Sequence, residues 1–451
     1  MHASLTSTRR LAAALIAGAC MSLPPPAAAQ FFDSLFTDLP TDPDALAEKV
    51  IGDIVSIRGL EFEHDISVGT QTEAEFEQYL REEMDRALPP RRARVFGRIV
   101  KQLGLYNGPV IEDAAALMTF LATSQAAAYY NPETSAFYVL IGDTPSNMLA
   151  PIYAHELYHG LQDQYWDLTS YMLDGAGNGL DDDELLARQA VVEGEATYVM
   201  TLWALRELTG EVPSGFALDL AVRVQSGLTL QALRDLAESS VVPGALGEDV
   251  EASLAAMDDI PPFMMETMVG AYLKGMAFVH QVVRQGWDRA ANMYTDPPRS
   301  SEQILHPEKW LVTRDDPVAI TFPDGAHEPA LEGWTLLDSN VIGEFQLRII
   351  FDEFGMSDRS TAAAAGWNGD RYAVFERGDE LLLLFYTSWD SEAEATEFAA
   401  AYEELLGRKY PGAGKTTAVS ARGADVLIVE GGGDDEMAGF LQYLERAGKS
   451  D

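Results

Sequence analysis

Two histidines four residues apart, His155 and His159, enclose Glu156 in the run Ile152-Tyr153-Ala154-His155-Glu156-Leu157-Tyr158-His159-Gly160. This spacing limits the chain to folds that build a helix here, because only on a helix do positions i and i+4 share a face and reach one point. The surrounding pattern predicts that helix from about 147 to 167, with capping residues between Asp143 and Ser146. A hairpin is expected just before it. Two β-rich runs between Ala128 and Ile141 flank the turn Asn131-Pro132-Glu133-Thr134. Paired imidazoles at this spacing are a ligand set for a divalent ion, with zinc expected. The carboxylate that follows the first histidine is placed to take a proton from water and pass it on. By chance, an HExxH arises in roughly one chain in a hundred of this composition, so the motif needs a third ligand to support it.

A candidate follows in Val191-Val192-Glu193-Gly194-Glu195-Ala196-Thr197, inside a helix expected over 183–208. Two acids among Val, Ala, Tyr and Met are costly to bury unless something compensates their charge. Glu193 shares a face with Leu186, Gln189, Ala190, Ala196, Thr197 and Met200, a face suited to meeting another helix. Glu195 lies about 200° around the axis at 100° per residue. Glu193 is therefore the candidate third ligand; the competing reading is a solvated Glu pair on an amphipathic helix.

With His155-Glu156-x-x-His159 and a glutamate from a separate helix, the chain resembles the gluzincin metallopeptidases, which include thermolysin and aminopeptidase N. Glu193-Gly194-x-Ala196 is similar to the Glu-Gly-x-Ala ligand segment of the aminopeptidase-N-like members, which implies zinc ligation by Glu193. Thirty-three residues separate His159 from Glu193, a longer interval than in those families, and an Asp-rich loop between Asp174 and Asp183 accommodates the excess. Tyr272-Leu273-Lys274-Gly275 resembles their Tyr-x-Lys-Gly segment, where the tyrosine donates to the oxyanion; carried over, Tyr272 takes that role, the alternative being a tyrosine anchoring the start of a core helix. His280 and His306 are rival donors. Ser300-Ser301-Glu302-Gln303 is read either as a cleft lining or as a loop cap. The resemblance also implies an edge strand ahead of the motif that pairs with an extended substrate, and Tyr138, Val139 and Leu140 are the candidates. The segment by which aminopeptidases read a free amino terminus is absent, so exopeptidase activity has no support. Motif resemblance extends over about 125–285.

Composition narrows the partners. Asp and Glu number 71 against 31 Lys and Arg, a net charge of −40, which repels nucleic acid and anionic lipid. Arg9 and Arg10 precede an apolar run from Leu11 to Leu23 and an Ala27-Ala28-Ala29 cleavage pattern, so residues 1–29 read as a signal peptide and the protein as exported, to the periplasm or beyond. The arginine pair also raises the twin-arginine route, against the general secretory one. Cleavage after Ala29 moves the charge to −42 and removes Cys20, the single cysteine; lipid anchoring at Cys20 is disfavoured by Ala17, where a lipobox prefers Leu. Any metal then rests on His and carboxylate alone. No later segment has the length and apolarity of a membrane span.

The expected organisation is an N-terminal arm (30–44), a zincin-like α+β catalytic domain (45–311), a Pro-, Asp- and Gly-containing linker (312–333) and a smaller α+β accessory domain (334–451). In that last part, strands are expected over 372–376, 380–388 and 424–430, with helices over 392–407 and 435–447. The function expected is zinc-dependent hydrolysis of a peptide or protein substrate. Two alternatives stand beside it: a non-catalytic zincin-fold binding or assembly protein of the cell envelope, and a metal-dependent hydrolase of non-peptide substrates.

Overall fold

Asp42 and Pro43 start the first described helix. The Asp42 carboxylate accepts from the Ala45 N–H at 3.0 Å, proline occupies the first turn, and the helix stops at Gly59 in the left-handed region (φ 73°). This is α1 (Pro43–Arg58), whose buried Leu46, Val50, Ile54 and Ile57 form one stripe. The computed structural model describes residues 38–87, 90–125, 127–141, 149–173, 179–227, 260–412 and 414–450. The signal peptide with Cys20, the caps between Asp143 and Ser146, and residues 174–178 of the Asp-rich loop lie outside the described residues.

After α1 come β1 (Ser67–Gln71), α2 (Glu73–Ala87), α3 (Pro90–Leu103), α4 (Ala114–Gln125), β2 (Ala128–Asn131) and β3 (Ala136–Leu140). Next among the described residues come α5 (Ala150–Trp166), α6 (Leu168–Leu173), α7 (Asp182–Thr209), α8 (Gly215–Ser226) and α9 (Pro262–Val283). Among the later elements are α10 (Ser301–Leu305), β4 (Thr335–Asn340), α11 (Gly343–Glu353), β5 (Trp367–Arg377), β6 (Glu380–Trp389), α12 (Glu392–Lys409), β7 (Thr417–Arg422), β8 (Asp425–Glu430) and α13 (Met437–Leu444). The protein is α+β, as the sequence predicts. It divides into two compact units: residues 1–90, 113–179 and 188–297 form the first, and 91–112, 180–187 and 298–451 the second.

In the first unit, β1, β3 and β2 form a three-stranded sheet in that order, β1 parallel and β2 antiparallel to β3. Phe76, Leu80, Ala122 and Tyr129 close a small core between α2, α4 and the sheet. Leu60 to Val68 alternates in sequence like a strand, but the ladder runs from Ser67 to Gln71. Before it the main chain is held by side chains of α5 instead, with Glu63 and His64 N–H donating to Gln164 and the Glu61 carbonyl accepting from Tyr165. α5 packs on α1 and on β2.

The second unit is built on a five-stranded antiparallel sheet, β4-β5-β6-β8-β7. One face, with Phe375, Leu384 and Leu427, packs on Phe440 and Tyr443 of α13. On the other, Phe385 meets Tyr402, and Trp389 meets Phe398, which in turn contacts Phe351 of α11. α12 opens with a capping box, the Ser391 hydroxyl accepting from the Glu394 N–H while donating to its carboxylate. The paired strands, α12 and α13 match expectation; β4, α11 and β7 are additional.

Candidate metal centre

From Ala150 to Gln162 nearly every residue of α5 is buried, so its polar groups have no water to turn to and must find partners in the protein. His155, Glu156 and His159 are each 2–3% exposed, and Gln162 is wholly buried. Glu193 and Glu195 on α7 are also wholly buried. The competing reading, a solvated glutamate pair, is thus excluded.

Three ligand-type atoms converge. His155 Nε2 lies 3.1 Å from His159 Nε2, and Glu193 Oε2 lies 3.2 Å and 3.4 Å from them. Tetrahedral zinc with bonds of roughly 2.0–2.1 Å holds neighbouring ligand atoms about 3.3 Å apart, so this triangle fits the ion without rearrangement. The donor chemistry fits too: two imidazoles and one carboxylate. The other oxygen, Glu193 Oε1, has no hydrogen-bond partner among the described residues. Burial opposes charge on His159, but the Glu193 carboxylate outweighs it and pushes the imidazole pKa up to about 9. Burial likewise works against ionisation of Glu193, and the neighbouring histidines bring its pKa below the usual value.

Glu156 also comes within 4.8 Å of ligand atoms of both histidines. One of its oxygens, however, accepts from the main-chain N–H of Tyr130 at 2.9 Å. Glu193 Oε2 stands 3.2 Å and 3.4 Å from the two Nε2 atoms and spends no hydrogen bond on the main chain, which favours it as the third ligand.

Tyr272 is brought to the same place by two glycines. A Cβ on Gly194 would lie 2.2 Å from the Gly275 carbonyl carbon, and one on Gly275 would lie 2.0 Å from the Ala190 oxygen. Only glycine permits α7 and α9 to touch so closely. Glu193 precedes one glycine and Tyr272 lies three residues before the other, and the Tyr272 ring stacks on His155 at 5.6 Å between centroids. His280 is taken up by Asp219 (2.9 Å) and Tyr198 (3.3 Å). His306 belongs to the second unit and pairs with Glu344 at 3.1 Å. Ser300 caps α10 by accepting from the Gln303 N–H, the loop-cap reading of that cluster.

The expected substrate-binding edge is corrected. β3 is the central strand, with main-chain partners on both sides, so Tyr138, Val139 and Leu140 cannot receive a further strand. Tyr138 and Leu140 pack against the small core instead. Among the described residues β2 pairs on one side only, and its Tyr130 N–H already points at Glu156.

Sequence reading missed three residues around the triangle: Gln162, Tyr294 and Arg58. Gln162 Oε1 lies 2.7 Å from His159 Nδ1, and its amide nitrogen donates to Tyr294 and Glu195. Arg58 donates to Glu195 at 3.2 Å. The spacing of Gln162, three after His159 and seven after His155, carried the signal of a shared helix face.

Residues 333–440 match the model of a family described as a domain of unknown function, DUF8575. No curated protein and no solved structure matches the chain.

Proposed function

We propose that the first unit is a zincin-like, zinc-dependent peptide hydrolase of the gluzincin type, acting on an exported substrate. The observation that carries this reading is the triangle of His155 Nε2, His159 Nε2 and Glu193 Oε2, with edges of 3.1–3.4 Å. A bound zinc ion supplies Lewis acidity and brings the pKa of water to about 7. Glu156 takes the proton from the attacking water and delivers it to the departing amide nitrogen, so the C–N bond breaks as a free amine. Tyr272, against His155, donates its hydroxyl hydrogen to the oxygen that gains charge during the attack. Glu156 is held beside β2 by the Tyr130 main-chain N–H at 2.9 Å, so the base sits next to a strand of the first unit's sheet. The second unit, with its domain of unknown function, is an accessory domain in this reading. No helix among the described residues is long and apolar enough to cross a membrane.

Zinc analysis of purified protein, paired with a search for cleaved envelope peptides in cells carrying native or Glu156→Gln protein, tests the proposal. About one zinc per chain is expected in both proteins, with cleavage only by the native one. Absence of zinc from every preparation removes the enzyme reading. Zinc without cleavage by native protein leaves a binding role.

A further inference from the structure

We infer that Glu195, through Gln162, is a positioning residue that sets which nitrogen of His159 faces the metal. The inference rests on the metal-centre reading above and adds how the ligand is prepared.

Tyr294 donates its hydroxyl hydrogen to Glu195 Oε2 at 2.5 Å, so its oxygen is left to accept. Around the Gln162 amide nitrogen stand three acceptors: the Val192 carbonyl (3.0 Å), Glu195 Oε2 (3.3 Å) and the Tyr294 hydroxyl oxygen (2.7 Å). Turning the amide over would aim its oxygen at all three, which the buried site cannot satisfy. Gln162 Oε1 must therefore face His159 Nδ1, 2.7 Å away. That nitrogen has to carry a hydrogen, so Nε2 is the nitrogen that gives up its proton when His159 takes up an ion together with His155 and Glu193. Glu195 is itself fixed by Arg58, which is 6% exposed, donates to both Glu195 (3.2 Å) and the Tyr158 hydroxyl (2.9 Å), and stacks its guanidinium over Trp287. The two glutamates of Glu193-Gly194-Glu195 thus divide the work: one faces the ion, the other orients the histidine that does.

The test uses the full-length chain. Zinc affinity is read by competition with a chelator, cobalt substitution reports ligand geometry from its visible spectrum, and nitrogen-15 NMR locates the imidazole hydrogen of His159. For the zinc-loaded native protein the hydrogen is expected on Nδ1. In Gln162→Met and Glu195→Gln, zinc affinity is expected to fall roughly 10–100-fold, with one site per chain retained at saturation and a changed cobalt spectrum. Native affinity and spectrum in both variants overturn the inference while leaving the metal centre intact. A His159 hydrogen on Nε2 of the metal-free native protein, with Nδ1 bare, overturns it too and needs no variant. Failure of the native chain to take up zinc removes both the inference and the reading beneath it.

Discussion

Gly194 and Gly275 touch backbone to backbone, so closely that a Cβ on the first would reach within 2.2 Å of the carbonyl carbon of the second. This contact ties α7 to α9 at the level where Glu193 and Tyr272 meet His155. Gly194→Ala is expected to force the helices apart, at an overpacking cost of about 1–3 kcal/mol, partly offset by about 1 kcal/mol of gained helix propensity. Calorimetry should show a lower Tm, and zinc titration a weaker site. An undiminished zinc affinity would show that Glu193 keeps its place without the glycine contact.

The two glutamates of α7 should fail differently. Glu193→Ala removes a ligand and should lose the metal, and with it the stability that metal binding lends the folded state; compared without metal its urea midpoint should move little, because His159 can shed its proton. Glu195→Ala leaves the Arg58 guanidinium buried beside no carboxylate, an arrangement that costs about 3–5 kcal/mol. Urea unfolding and metal analysis on both variants separate the outcomes. Zinc retained by Glu193→Ala and lost by Glu195→Ala would reverse the assignment.

Tyr272→Phe keeps the ring against His155 and deletes only the hydroxyl. If that hydroxyl donates to the developing oxyanion, kcat should fall by about 10²–10³ with KM nearly unchanged. An unaltered kcat would reduce Tyr272 to a packing partner.

The second unit should become more stable on mild acidification. Asp370 is buried, and burial pushes its pKa up to about 6 despite the N–H groups of Ile342, Gly343 and Trp367 that favour the ionised form. Asp183 is raised by burial as well. A folded-state pKa above the unfolded value means that the folded protein holds a proton the unfolded chain has released. The associated stability is therefore complete below about pH 4 and is lost as pH rises through about 6. From pH 8 to pH 5 Asp370 alone should add about 1 kcal/mol. Urea midpoints of the sheet-bearing unit, followed at both pH values, measure it; a midpoint that falls over this interval contradicts the burial argument.

Local periodicity made much of the fold legible. α5, α7 and α9 follow from apolar spacing, and the β2–β3 and β5–β6 pairs from turn residues between β-rich runs. α1 is encoded just as locally, by Asp42-Pro43 and the apolar spacing of Leu46, Val50, Ile54 and Ile57, although half of its first turn falls where the sequence reads as an acidic arm. β4, α11 and β7 carried weaker signals because their burial depends on the sheet they join.

What the sequence by itself determined is the set of groups on each helix: His155, Glu156 and His159 on one face of α5, with Glu193 and Glu195 pointing apart on α7. These follow from a fixed rotation per residue, which needs no knowledge of the rest of the chain. Tertiary structure decided which glutamate meets the histidines, that β3 lies between β1 and β2 in its sheet, and that Gln162, Tyr294 and Arg58 surround the centre. Those facts depend on contacts between residues up to 137 positions apart, as Arg58 and Glu195 are. Side-chain packing and the pairing of buried polar groups select such contacts, and neither is encoded in any local stretch of sequence.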